Sequence, residues 1–411
     1  MRANLRIDEP GQRGPRTKNG QRARPVRHLD RRVGKWKDTN PLIMAGLWKH
    51  WEGRGALTKT PCYRWLVPSA IRDRAGRLLD ALRAGRARPG HYLAMELDKA
   101  GGWPDSPEDL LRSLLLTKKP CIFAESAVAG DGSDWTAEEF ALLGDIACLV
   151  PVTVFDDGEW HDPVVHEPPF SAHLAFVPGA LLRDLGQIPS PDRTEVAPEG
   201  ALDPAAYYRL YERRLVPVFD AIEDVAASYG TGAVVTVPGL GCGQFSGRFT
   251  GLHALLGKTL HRLLETHAPR WPSLRQVHYD PYEGTDNHAW RIGRSLVYRI
   301  RPLMKGRSHP PLSRVNVFEE GDDGFEGCRL FSLVAWDHVS WPGNDFYAGS
   351  RNTDDGVKAA ATDSMYRMTG IEGKYDPVQH AYQPPAGFSR WEQVVRNHGI
   401  RLRVEDNLQV M

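Results

Sequence analysis

Four aspartates fall within twenty-one residues, at Asp345, Asp354, Asp355 and Asp363 of the stretch GNDFYAGSRNTDDGVKAAATD. Like charges this close repel, so something must compensate them. Helix capping, metal binding and reception of a cationic substrate are the three chemistries that fit. Thr353 reads as a helix N-cap, Asp354 and Asp355 complement the dipole in the first turn, and Gly370 reads as the stop. Asp363 stands four residues before Arg367, the spacing of a helical ion pair. Capping leaves Asp345 with nothing beyond a Gly-Asn-Asp turn. On one continuous helix, Asp355 and Asp363 would lie about 80° apart around the wheel and roughly 12 Å apart along the axis. Metal–oxygen bonds span only about 2–2.6 Å, so one ion cannot bridge them. The spacing predicts a metal-free, cofactor-free site, with magnesium on Asp354 or Asp345 plus waters as the alternative. An extended cation, such as a guanidinium attached to a sugar, could meet both carboxylates.

A second cluster is glycine-rich. In VVTVPGLGCGQFSGRFTGLHALLGKTL a buried strand leads through Gly239, Gly241, Gly243 and Gly247 into a helix striped with Leu252, Leu255, Leu256, Leu260, Leu263 and Leu264. Glycines between a strand and a helix let backbone N–H groups close on a phosphate, and the helix N-terminus adds partial positive charge. GLHALLGKT is no Walker loop, because five residues separate Gly251 from Gly257 where four are required. A dinucleotide fingerprint fits loosely. Gly247 comes one residue late, and Asp280 lies nearly forty residues on from Gly241 instead of about twenty. A ligand-free turn also remains open.

The elements that must carry these loops alternate. ACLVPVTVF, AHLAFVPGALL, AVVTV, LRQVHYD, SLVYRI and CRLFSLVAW read as strands, as do HYLAME and PCIFAE. Amphipathic helices read at Ser69–Gly85, Ser106–Lys118 and Trp135–Leu143. A long one spans AAYYRLYERRLVPVFDAIEDVAASYG, where Pro217 should kink or interrupt it. Strand and helix in turn predict an α/β fold with a largely parallel sheet. Residues 1–39 form a basic tail, and residues 1–37 carry twelve Arg or Lys against three acids, an arm for an anionic surface or nucleic acid if not merely solvated. An α/β extension then spans residues 40–165, followed by a catalytic domain at 166–411. Net charge is only +1, so nothing beyond the tail favours nucleic acid. Five scattered cysteines without a C-x-x-C pair suggest a reducing compartment. No run of eighteen apolar residues and no apolar leader occurs, which predicts a cytoplasmic protein without membrane contact, or one delivered into another cell without a cleaved signal.

GLGCGQFSG resembles the diphosphate loop of the macrodomain superfamily, in the Gly-Cys-Gly-x-Phe-x-Gly form of poly(ADP-ribose) glycohydrolases. The likeness implies that Gly239, Gly241, Cys242, Gly243, Gln244, Phe245, Ser246 and Gly247 wrap ADP-ribose, with Phe245 beside the proximal ribose and Cys242 packed instead of reactive. LFSLVAWDHVSWPGNDFYAGSRNTDDGVKAAATDSMYRMTG resembles the other macrodomain loop. Asn344 stands where the family contacts ribose, and DDGV where Gly-Gly-Gly-Val is expected. The Gln-Glu-Glu of the glycohydrolases is missing. Tyr347 is a candidate to stack on the ligand. The diphosphate loop comes first, an order that suggests a circularly permuted three-layer α/β/α macrodomain. The aspartate pattern most resembles MavL-type macrodomain effectors. By that resemblance Asp345, Asp354, Asp355 and Asp363 would remove mono-ADP-ribose from arginine on a protein, ubiquitin among the candidates. A non-catalytic ADP-ribose reader and an NAD(P)-dependent oxidoreductase are the rivals.

Overall fold

The computed structural model describes residues 63–122, 134–185, 188–282, 284–305 and 308–411; the basic tail expected at 1–39 lies outside them, as does PCIFAE from Phe123 onward. Nine strands form one sheet: β1 (Arg64–Val67), β2 (Ala147–Asp156), β3 (Val165–Pro178), β4 (Ala233–Pro238), β5 (Leu274–Asp280), β6 (His288–Ile292), β7 (Leu296–Ile300), β8 (Arg329–Trp336) and β9 (Leu408–Val410). Their spatial order is β9-β1-β2-β3-β8-β4-β5-β7-β6. The five strands β3, β8, β4, β5 and β7 run parallel, and β1, β2 and β6 meet neighbours antiparallel. The strands before residue 165 thus extend the same sheet.

Helices cover both faces. In chain order they are α1 (Ser69–Arg83), α2 (His91–Ala100), α3 (Pro107–Thr117), α4 (Ala137–Gly144), α5 (Pro191–Val196), α6 (Pro204–Ser228), α7 (Leu252–His267), α8 (Asn344–Tyr347), α9 (Asp354–Ala360), α10 (Ser364–Thr369) and α11 (Trp391–His398). Alternation along β8 shows the layering. Leu330 and Val334 enter the core beneath α1–α4 and α8–α11, whereas Phe331 and Leu333 enter the core beneath α6 and α7. The result is a three-layer α/β/α sandwich. The glycine-loop strand β4 precedes the aspartate-loop strand β8 in the chain and lies beside it, so the two loops leave neighbouring strands. Among the described residues no helix is long and apolar enough to cross a membrane.

Three expectations change. HYLAME is the first part of helix α2, whose Leu93 and Leu97 bury one side before left-handed Gly101 stops it. Pro217 does not interrupt α6, in which it is buried. The single helix expected from Thr353 to Gly370 is broken at residues 361–363. There the chain turns to β2, where Phe155 N–H donates to Ala361 O (2.9 Å) and Asp363 N–H to Thr153 O (3.2 Å). Edge hydrogen bonds win over helical continuation, so the helical-wheel separation of Asp355 and Asp363 does not apply.

Candidate active site

β8 and β4 pair only as far as Ser332 and Thr236. Beyond that point β8 follows β3 to Trp336, while β4 follows β5 to Pro238. The sheet therefore splits at its carboxyl edge, the place where open α/β sheets put ligands. Splitting frees backbone groups. Arg329 N–H donates to Gly232 O (2.8 Å), so odd-numbered residues of β8 face β4, and the Leu333 carbonyl and Ala335 N–H lie past the last ladder pair. Two side chains of α9 meet them. Asp354 Oδ2 accepts from Ala335 N–H (2.8 Å), and the fully buried Lys358 ammonium donates to Leu333 O. Lys358 also pairs with Asp354 at 2.8 Å. Asp354 thus fastens α9 to the split sheet.

The glycine loop leaves β4 and leans on the turn after β3. A Cβ on Gly179 would stand 2.4 Å from Gly241 N, and Gly241 itself has φ +71°, so these two backbones touch only as glycines. Tyr211 of α6 ties them, its hydroxyl accepting from Ala180 N–H (3.1 Å) and donating to Leu240 O (2.6 Å). Leu182 N–H closes the far end on Phe245 O at 2.7 Å. The other side of the loop is open. Gly243 and Gln244 are exposed, and a Cβ on Gly243 would meet nothing within 4 Å. Phe245 and Ser246 are half-buried, and the Phe245 ring lies 6.3 Å from that of His338. Cys242 is buried, with its thiol pushed up to about 12 by burial, so it stays protonated.

Beneath that turn lies a fully paired ionic network. Buried Arg214 donates to Asp145 and Asp192 (2.7 Å each) and to the carbonyls of Pro178 (3.1 Å) and Gly179 (3.0 Å). Asp192 also accepts from Leu181 N–H (2.8 Å) and faces His338 Nε2 at 3.1 Å. Burial alone would raise the Asp192 carboxyl, but Arg214 and His338 outweigh it and hold it well below its usual range. The pattern is one of anchoring.

The aspartates divide. Asp363 accepts from Thr153 N–H (2.7 Å) and pairs with Arg367 (2.8 Å), while Asp354 faces Ala335 and Lys358. Asp345 and Asp355 remain together at the carboxyl edge. Asp355 is 5% exposed; its Oδ1 accepts from Gly343 N–H at 2.9 Å, and its buried Oδ2 has no protein partner. Burial raises its pKa well above the ordinary value, and the negative charges of Asp345, Asp337 and Asp354 add to the rise. Asp345 is raised too, by burial, with a hydrogen bond from Thr353 opposing. Gly356 lets α9 come this close, since a Cβ there would stand 2.4 Å from Ser350 O. Asn344 is turned inward, its amide exchanging bonds with Ile122 N–H (2.6 Å) and Ile122 O (2.7 Å). Tyr347 is fully buried, edge-on to Trp341 at 5.8 Å. Among the described residues no three His, Cys, Asp or Glu side chains surround a common metal position. Asp345 and Asp355 alone would leave most of a magnesium ion's sites to water.

A model of the macrodomain effector MavL family matches residues 63–388, from the first strand of the sheet past both loops. The chain belongs to that family. No curated protein matches it significantly. Macrodomain membership carries ADP-ribose binding or processing as the coarse function. Two groups of this MavL-family macrodomain were not read from sequence. Lys358 stands four residues after Asp354, a spacing open to inspection. Asp337 closes its own turn on Val339 N–H (2.8 Å) and Ser340 N–H (2.7 Å) and adds charge beside Asp355.

Proposed function

We propose that this macrodomain removes mono-ADP-ribose from arginine side chains of a protein by hydrolysing the N-glycosidic bond. One observation carries the reading: Asp355 is a buried carboxyl with one oxygen unpartnered, and the charges that act on it are other carboxylates. Such a group is poised for a cation. A guanidinium arriving on the ribose would relieve the repulsion between Asp345 and Asp355 and let both act as carboxylates. One would then position water against the anomeric carbon while the other stabilises oxocarbenium-like charge. The open side of the glycine loop, at Gly243 and Gln244, would take the diphosphate, and Phe245 the adjoining ribose. Asp354 and Asp363 act through position, the first fastening α9 and the second fastening α10.

The test offers the protein mono-ADP-ribosylated at arginine, serine or glutamate on separate substrates, with free ADP-ribose measured. Release from the arginine substrate is expected, with and without magnesium. Release only from the other linkages moves the substrate class. ADP-ribose binding without any release makes the protein a reader, and NAD binding as tight as ADP-ribose points to the oxidoreductase. Release that requires magnesium assigns Asp345 and Asp355 to a metal.

A further inference from the structure

The amino-terminal edge of the sheet, opposite the split, carries a pocket of about 330 Å³ lined by Phe170, Ser171, Thr231, Arg314, Cys328 and Arg329, among others. Its lining carries arginines, and the nearby Glu319 carboxylate, which acts on Cys328, accepts from Phe325 N–H (2.7 Å). The Arg329 guanidinium lies 3.5 Å above the Tyr229 ring, and its Nε is buried without a partner. Arg314 lies 4.9 Å above the Phe170 ring and donates to the Pro168 carbonyl. Arg275 stands behind the pocket, bonded to the Pro272 carbonyl (2.6 Å) and lowering the otherwise burial-raised pKa of the Cys328 thiol. None of these three arginines has a carboxylate partner among the described residues. Rings and carbonyls hold each in place instead, which orients guanidinium planes without neutralising them.

We propose that this pocket is a second ligand site, for a small molecule bearing a phosphate or carboxylate. Stacked guanidinium groups present their N–H edges to an oxyanion. The Ser171 and Thr231 hydroxyls are further polar groups on the wall, and Phe170, Val315 and Leu330 give it an apolar side. The volume is roughly that of eleven waters at about 30 Å³ each. That leaves room for a body behind the anionic group, near the lower bound of ligand pockets. The site stands at the other end of the strands from Asp355, so it is independent of the hydrolase reading.

The experiment follows Arg Nε–H resonances of 15N-arginine-labelled protein while inorganic phosphate or malonate is added at constant ionic strength, with chloride as control. Alkylation of Cys328 by a maleimide is read in parallel, residue by residue, by mass spectrometry. Cys328 is half-buried on the pocket wall, whereas Cys121, Cys148 and Cys242 are buried. Saturable shifts at Arg314 and Arg329, with Cys328 alkylation slowed at least severalfold, are expected from one anion or both, and which one acts tells phosphate from carboxylate. Arg314→Gln, checked for an unchanged melting temperature, should abolish the protection, and Asp355→Asn should preserve it. Shifts that chloride reproduces, or protection that survives Arg314→Gln, overturn the proposal without touching the hydrolase reading; so does the absence of any shift in the unmodified protein.

Discussion

Two sets of acids shielded from solvent, one at each loop, are treated in opposite ways. Asp145 and Asp192 surround Arg214, and every strong neighbour of Asp192 favours its charged form. Asp345 and Asp355 surround no cation; burial favours the neutral form of both, and the charge of Asp345 adds to it at Asp355. Acids of the first kind hold a turn in place. The second kind keep an interaction in reserve, the usual state of a group that must act on a ligand. Burial alone therefore does not distinguish structure from function; the sign of the nearest charge does.

The largest expected effect would sharpen this contrast. Asp355→Asn keeps the acceptor for Gly343 N–H but removes the ionisable group, so turnover on ADP-ribosyl-arginine should fall about a hundred- to ten-thousandfold with ADP-ribose binding retained by calorimetry. The same variant should melt no lower than the parent. Near-native turnover would make Asp355 a structural acid like Asp192. Next comes Arg214→Met, which leaves two carboxylates buried without their cation and should cost about 3–5 kcal/mol of unfolding free energy in denaturant titration. A neutral result would erase the difference between the two sets.

Stability against pH separates them by sign. The lowered pKa of Asp192 contributes stability that is present above the ordinary Asp value, about 3.9, and is lost as pH falls below it. The raised pKa of Asp355 does the reverse, since stability is given up as pH rises from that value towards the folded one. Asp355→Asn should therefore gain on the parent as pH is raised from about 4 to about 7, whereas the deficit of Asp192→Asn against the parent should shrink as pH is lowered below about 4, both read from melting temperatures. The smallest effect belongs to Asp363→Asn. It retains the acceptor for Thr153 N–H and gives up a part-exposed ion pair, so about 0.5 kcal/mol of stability should go while turnover stays within a few-fold.

What could be read from the sequence follows how local each cause is. Strand, glycine turn and leucine-striped helix announce a loop at a strand's carboxyl end because their signals lie within thirty residues, and Gly239–Gly247 indeed follows β4 and precedes α7. The ion pair of Asp363 with Arg367 was legible for the same reason. HYLAME misled because six apolar-rich residues fit either period, and only Leu97 and Gly101 beyond them decide. The break between α9 and α10 was invisible, since it depends on the edge of β2 some two hundred residues earlier. The task of Asp354 could not be foreseen either. It exists only because β8 and β4 part company, a fact about the sheet and not about the segment.

That parting has a further consequence. Because Asp354 and Lys358 are bonded directly to the backbone of β8, the first turn of α9 takes its coordinates from the sheet, and Asp355 is mounted on the rigid frame of the molecule. The chain between Trp336 and Thr353 adds one contact to that placement, from Gly343 N–H. Evolution or an engineer can recolour its exposed rim, at Gly349 and Asn352, to greet a different protein surface, while the carboxylates beneath keep their address.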